Sequence, residues 1–204
     1  MGGLDPDGRS ATGSTAAPPS KLTITLASAD ECVALGTRIG AILTGGDLVI
    51  LSGPVGAGKT TLTRGLAAGL AVTGRVSSPT FVIARHHPAA ADGPDLIHVD
   101  AYRLSGFAEL DALDLDADLD RAVMVVEWGR EQAEQLASSR LEIELIRMRG
   151  DPRSTDRPSP DRDGTPDTNV DQRDVVISWH GEAWDRDRVA ALRVSALSGR
   201  VVPR

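Results

Sequence analysis

The sequence predicts an α/β protein with a largely parallel sheet at its centre and helices on its faces. Three observations predict it. Short apolar runs of strand length alternate with segments of helical period. A glycine-rich turn joins the second such run to the second helix. Two later apolar runs each end in an acid, at Asp100 and Glu127.

Residues 1–20 are Gly, Pro, Ser, Thr and Ala without periodicity and read as a disordered tail. Residues 21–26 (KLTITL) alternate as a strand does. Ser28 can cap a helix in which Val33, Leu35, Ile39, Ile42 and Leu43 recur at roughly helical spacing. Residues 47–52 (DLVILS) form a buried-strand run that ends at a glycine. Residues 60–70 carry Leu62, Leu66 and Leu70 on one helical face. Residues 96–100 (LIHVD) and 122–127 (AVMVVE) read as strands. A helix is expected over 131–137, then an alternating strand over 141–146. Residues 149–172 hold almost no apolar side chain and read as a disordered insertion. A last strand over 174–180 resumes the domain, followed by a tail. The expected organisation is a tail (1–20), one domain (21–148), an insertion (149–172), and a strand with a second tail (173–204). No internal repeat is visible.

Bulk composition narrows the function. The 204 residues are 41% hydrophobic, enough for a core, and carry a net charge of −7. That charge argues against a broad grip on nucleic acid by this chain alone. Aromatics are 3% of the chain, so a base-stacking platform is not expected. The single cysteine, Cys32, allows no internal disulfide and fits a reducing compartment. No apolar run reaches membrane-spanning length, and the N-terminus lacks a secretory pattern. A soluble cytoplasmic protein is expected.

Gly53-Pro54-Val55-Gly56-Ala57-Gly58-Lys59-Thr60 matches the P-loop pattern G-x-x-x-x-G-K-S/T. Glycines let such a loop turn successive backbone N–H groups inward on a phosphate. Lys59 places a cation between the β- and γ-phosphates, and the Thr60 hydroxyl can ligate Mg²⁺. The helix that begins here adds the positive end of its dipole. Lys59 is one of only two lysines against twenty arginines. The pattern predicts a nucleoside triphosphate, ATP with Mg²⁺, as ligand. Its nucleotide-binding residues are Gly53, Gly56, Ala57, Gly58, Lys59, Thr60 and Thr61.

A carboxylate at the C-terminal end of a parallel strand lies near the ligand crevice of an α/β sheet. Asp100 and Glu127 could therefore each contact Mg²⁺, directly or through water, or position an attacking water. Glu127 follows five apolar residues and precedes Trp128, which makes it the better Walker B candidate. His98 reads as a core side chain or a support for neighbouring groups rather than a metal ligand. Ser77-Ser78-Pro79-Thr80-Phe81 reads as a turn built on Pro79, or as a switch loop that senses the γ-phosphate.

Taken in order, GPVGAGKTTLTRGL, SSPTF, HVDAYRL and VVEW resemble the TsaE family, also called YjeE. The resemblance runs from about Ser28 to Met148, with a weaker continuation over 173–181. It implies a P-loop fold with added antiparallel strands, and an ATPase needed to make threonylcarbamoyladenosine in tRNA. It implies TsaD and TsaB proteins as partners, with tRNA reached only through their complex. Carried over by residue, it makes Thr60 and Glu127 the Mg²⁺ ligands and Asp100 the acid near the γ-phosphate. Thr80 becomes the switch-loop threonine. Trp128 would sit beside the site, and the segment near Ala29 and Arg173 would lie by the nucleotide base. The chain departs from the family pattern at Ala101, at Cys32 where threonine is common, and in its insertion and tails.

No arginine finger can be assigned, so weak hydrolysis alone and stimulation by partners are expected. Two other functions fit the loop: a small-molecule kinase and a nucleotide-gated scaffold without catalysis. Arg103 and Arg130 could serve a kinase lid, but nothing marks an acceptor pocket. A GTPase is disfavoured because the one asparagine, Asn169, stands in no N-K-x-D segment. An ABC-type ATPase is disfavoured because no signature motif precedes the second acid.

Overall fold

The computed structural model describes residues 21–79, 81–113, 115, 120–147 and 172–197. The expected tail over 1–20 and nearly all of the expected insertion lie outside them. Among these residues, seven strands form one sheet in the order β1-β7-β6-β2-β5-β4-β3. They are β1 (Lys21–Leu26), β2 (Leu48–Ser52), β3 (Ala84–His87), β4 (Asp95–Asp100), β5 (Ala122–Glu127), β6 (Arg140–Arg147) and β7 (Arg173–His180). The four central strands, β6, β2, β5 and β4, are parallel. Antiparallel strands extend both sides: β3 beside β4, and β7 then β1 beyond β6. The sheet therefore has the parallel centre and antiparallel additions expected from the sequence.

Burial follows from position. All six residues of β5 are buried, as a central strand covered on both faces requires. Alternate residues divide between two cores. Val49, Leu51, Leu96, Val123 and Val125 face α1 (Ala29–Gly40), α2 (Lys59–Gly69) and α4 (Arg186–Leu197). Leu48, Ile50, Ile97, Val99, Met124 and Val126 face the other way, toward the short α3 (Phe107–Asp111). Ser28 caps α1 by accepting from the Glu31 N–H at 3.1 Å.

Helices α1 and α2 meet along glycines. Gly36 and Gly40 of α1 face Gly65 and Gly69 of α2 across a seam of bare backbone. A Cβ on Gly65 would fall onto the Val33 carbonyl oxygen and lie 2.9 Å from Gly36 Cα. The close approach brings α2, and the loop before it, down onto the sheet. Helix α4 is fixed by a buried acid: Arg188 binds both carboxylate oxygens of Asp47, at 3.0 and 2.5 Å. Asp47 also accepts from the Thr44 N–H at 2.8 Å. Among the described residues no helix is long and apolar enough to cross a membrane.

One expected element is absent. Residues 131–137 form turns, not a helix. Glu131 takes a left-handed φ of 66°, which breaks helical propagation at once. Its N–H is met by the Glu134 carboxylate at 2.8 Å, in place of a helical carbonyl. The segment still buries Ala133, with Leu136 and Ala137 packed on the second core. Conversely, α4 occupies part of the stretch expected as a C-terminal tail.

Candidate functional site

The P-loop leaves β2 at Gly53 and enters α2 at Lys59. Gly53, with φ of 133°, lies against β6, where a Cβ would strike the Leu145 carbonyl oxygen. Gly58 is the N-cap, at φ of 107°, and offers no side chain to cap the helix. The first turn of α2 thus opens its N–H groups and positive dipole end toward the loop. A cleft of about 440 Å³ lies there. Gly56, Gly58, Lys59, Thr60 and Thr61 line one wall, and Ser78, Asp100, Tyr102, Glu127 and Trp128 line the rest along with Val55.

Lys59 is nearly buried, at 5% exposure. Its ammonium donates to the carbonyls of Gly53 at 2.7 Å and Pro54 at 3.0 Å. It also sits 3.5 Å from the centre of the Trp128 ring. Burial lowers its pKa, and the carboxylates of Glu127 and Asp100 oppose that shift. Trp128 adopts a φ of 62°, and its N–H is held by Leu51 O at 2.9 Å. Tyr102 meets the same ring at 5.1 Å between centroids. The strained turn after β5 thus sets an aromatic wall over the lysine.

Asp100 and Glu127 are register partners at the ends of β4 and β5, each 3% exposed. Strand alternation puts both on the face that carries α2. Glu127 Oε2 accepts from the Thr60 hydroxyl at 3.1 Å. Glu127 Oε1 meets His98 Nε2 at 2.8 Å and the Thr63 hydroxyl at 3.4 Å. Asp100 accepts from the Ser78 hydroxyl at 3.0 Å and the Tyr102 N–H at 3.1 Å.

The structure thus brings Lys59, Thr60, Thr61, Asp100, Glu127 and Trp128 to one cleft, with Gly56 and Gly58. Gly53 and Ala57 shape the loop from outside that lining. Arg173 opens β7 behind the loop, 7% exposed, and donates to Ala57 O at 3.3 Å. It lies against Gly58, where a Cβ would come within 2.5 Å of its guanidinium. Cys32 approaches the Gly58 carbonyl from the same side at 3.8 Å. Burial pushes the Cys32 thiol up to about 11, and Arg173 pulls against that shift. Ala29 is exposed at the start of α1 and does not line the cleft. Thr80 lies outside the described residues. Ser78 belongs to the segment read as a turn or switch loop, whereas the motif spacing does not mark Thr63 or Tyr102 as site residues. Thr63 stands one helical turn beyond Lys59, and that period was the available signal.

The oxygen donors suit a hard divalent cation. Thr60 and Glu127 offer a hydroxyl and a carboxylate side by side, with Asp100 next in register. Among the described residues no three His, Cys, Asp or Glu side chains converge as a metal cage. An ion here would complete its shell with phosphate oxygens and water, as Mg²⁺ commonly does.

The fold and loop define a member of the P-loop NTPase class. The family model of the threonylcarbamoyl adenosine biosynthesis protein TsaE matches residues 26–155, and the chain belongs to that family. It is 48% identical over 166 residues to the tRNA threonylcarbamoyladenosine biosynthesis protein TsaE of Streptomyces coelicolor, covering 81% of this chain and 98% of that one. The protein of the same name from Mycobacterium tuberculosis is 47% identical over 133 residues, covering 62% and 79%. The crystal structure of Bacillus subtilis YdiB superposes with a TM-score of 0.61 at 27% identity, covering 86% of this chain and 96% of that one. The family works in the biosynthesis of threonylcarbamoyladenosine in tRNA.

Proposed function

We propose that this TsaE-family protein is a cytoplasmic Mg²⁺-dependent ATPase that serves a TsaD–TsaB complex in the threonylcarbamoyladenosine modification of tRNA. One observation carries the proposal. Lys59 and Thr60, at the open N-terminus of α2, face two buried carboxylates at the ends of adjacent parallel strands. The backbone N–H groups of the loop and the first turn of α2 would hold the β-phosphate. Lys59 would exchange the carbonyls of Gly53 and Pro54 for β- and γ-phosphate oxygens. Thr60 and Glu127 would hold Mg²⁺, which supplies charge neutralisation between the phosphates. Asp100, steadied by Ser78 and the Tyr102 N–H, would orient water toward the γ-phosphate. Among the described residues no arginine lines the cleft, which supports slow turnover alone and stimulation by the partner complex. The family's place in the pathway supports TsaD and TsaB as those partners.

The test is phosphate release from ATP with and without TsaD and TsaB, for wild type and Glu127→Ala. Low release alone, a rise with partners and loss in the variant are expected. Equal wild-type turnover with and without the partners would count against partner dependence. Unaltered turnover in Glu127→Ala would remove that residue from the mechanism.

A further inference from the structure

We propose that His98 is a positioning residue for Glu127. Its imidazole donates to Oε1 and so keeps Oε2 turned to Thr60, where the metal would be held. The inference rests on the functional reading above.

Both partners are buried: His98 is 0% exposed, and Glu127, at the cleft wall, is 3% exposed. Their separation of 2.8 Å requires a proton between nitrogen and oxygen. The carboxylate is the acceptor, so Nε2 carries the hydrogen. That leaves Nδ1, buried and without a protein partner among the described residues, as a lone pair rather than an N–H. An unmet acceptor is the less costly of those two states.

No other neighbour does the same work. The Thr63 hydroxyl is 3.4 Å from Oε1, but it is 3.0 Å from Lys59 O and has one proton to give. That proton closes the helical turn. Thr60 engages the other carboxylate oxygen. His98 is therefore the one short donor to Oε1 among the described residues. Strand geometry sets it there: His98 is the register partner of Val125, two residues before Glu127 on the same face.

An apolar side chain at 98 could fill the space. It would leave Glu127 buried beside Asp100 with no firm donor on Oε1. The carboxylate could then turn away from Thr60, either toward the Thr63 hydroxyl or out into the cleft. Loss of a partner that orients a ligand typically costs about 10–100-fold in metal affinity.

The experiment uses the full chain with His98→Leu and His98→Gln. Thermal melting establishes folding. ATP affinity is measured by calorimetry in EDTA and across a Mg²⁺ titration, so the readout is independent of turnover. His98→Leu should keep the metal-free ATP affinity of wild type within about twofold. Its half-saturating Mg²⁺ concentration should rise about tenfold or more. The glutamine amide can donate from nearly the same place, and His98→Gln should return the Mg²⁺ requirement to within about threefold of wild type. If His98→Leu does not fold, His98→Asn takes its place, because it is polar but too short to reach Glu127. A wild-type Mg²⁺ requirement in the leucine or asparagine variant overturns the proposal. So does equal impairment with glutamine, which would mark a packing role. If wild-type affinity itself ignores Mg²⁺, the metal reading fails first and the His98 proposal falls with it.

Discussion

The glycine seam between α1 and α2 makes a prediction whose sign is decisive. In an open helix, Gly→Ala stabilises by about 0.8–1 kcal/mol through propensity. At Gly65 of α2 the structure predicts the opposite. The new Cβ would overlap the Val33 carbonyl oxygen and lie 2.9 Å from Gly36 Cα and 3.0 Å from the Thr37 nitrogen. Carbon atoms prefer separations of roughly 3.5–4.0 Å. All three obstacles are backbone, so no side chain can swing aside. The helices must separate by on the order of 0.5–1 Å at the crossing, and Gly40 and Gly69 would lose their close approach as well. Overpacking of a tight core costs about 1–3 kcal/mol, and backbone obstacles belong at the top of that range or beyond. After the propensity gain, a net loss of about 2 kcal/mol remains. For a chain of this size that is a fall in Tm of about 4–8 °C. The assay is thermal unfolding followed by circular dichroism, with Gly65→Ala beside wild type. An unchanged or higher Tm would show that the two helices do not meet backbone to backbone.

Three further outcomes follow from the site and its supports. Lys59→Ala should weaken ATP binding by about 100-fold, in line with roughly 3 kcal/mol for charged hydrogen bonds, and calorimetry checks this. Arg188→Ala leaves the buried Asp47 carboxylate without its guanidinium. A loss of about 2–3 kcal/mol is expected in urea unfolding, with earlier proteolytic cleavage in α4. Cys32 should stay inert to thiol reagents at pH 8, because burial holds its pKa near 11 against an ordinary 9.0. A raised acid pKa keeps the folded state protonated for longer. Stability should therefore be intact below pH 9 and fall between pH 9 and 11, by up to roughly 3 kcal/mol. Cys32→Ala should flatten that fall in unfolding measured at pH 8 and 10.5.

Much of the fold was legible because burial imprints a pattern. Strands β2, β4 and β5 are apolar runs that stop at the ligand crevice, and α2 shows its leucines every fourth residue. Other elements leave a weak imprint. Strand β3 is four residues at a sheet edge, Ala-Arg-His-His, and buries one of them. Helix α4 fully buries only Leu192 and Ala196 of its twelve residues and relies on the Arg188–Asp47 pair. The stretch 131–137 has helical composition, but Glu131 is left-handed, three residues after the left-handed Trp128 at the cleft. In the site, Lys59, Thr60, Asp100 and Glu127 could be read because each stands at the end of a recognisable element. The glycine seam could not, since glycines add nothing to an apolar period. Nor could the contact of Arg173 with Ala57, across 116 positions of sequence, although the family resemblance draws Arg173 toward the nucleotide. Pairing at that range is set by the sheet order.

The register of Asp100 beside Glu127 has a consequence for the form in which a ligand arrives. Within the cleft two carboxylates face one ammonium, and all three are at most 5% exposed. Such a pocket repels a bare polyanion even as the loop invites its phosphates. A cation that accompanies the nucleotide reverses the sign of that encounter, because it turns both acids from repulsive to attractive. On the proposed function, the paired acids would act as a filter on ligand charge, passing a metal-complexed triphosphate and slowing a free one. Discrimination of this kind needs no contact with the base or the sugar. It is written into two neighbouring strand ends.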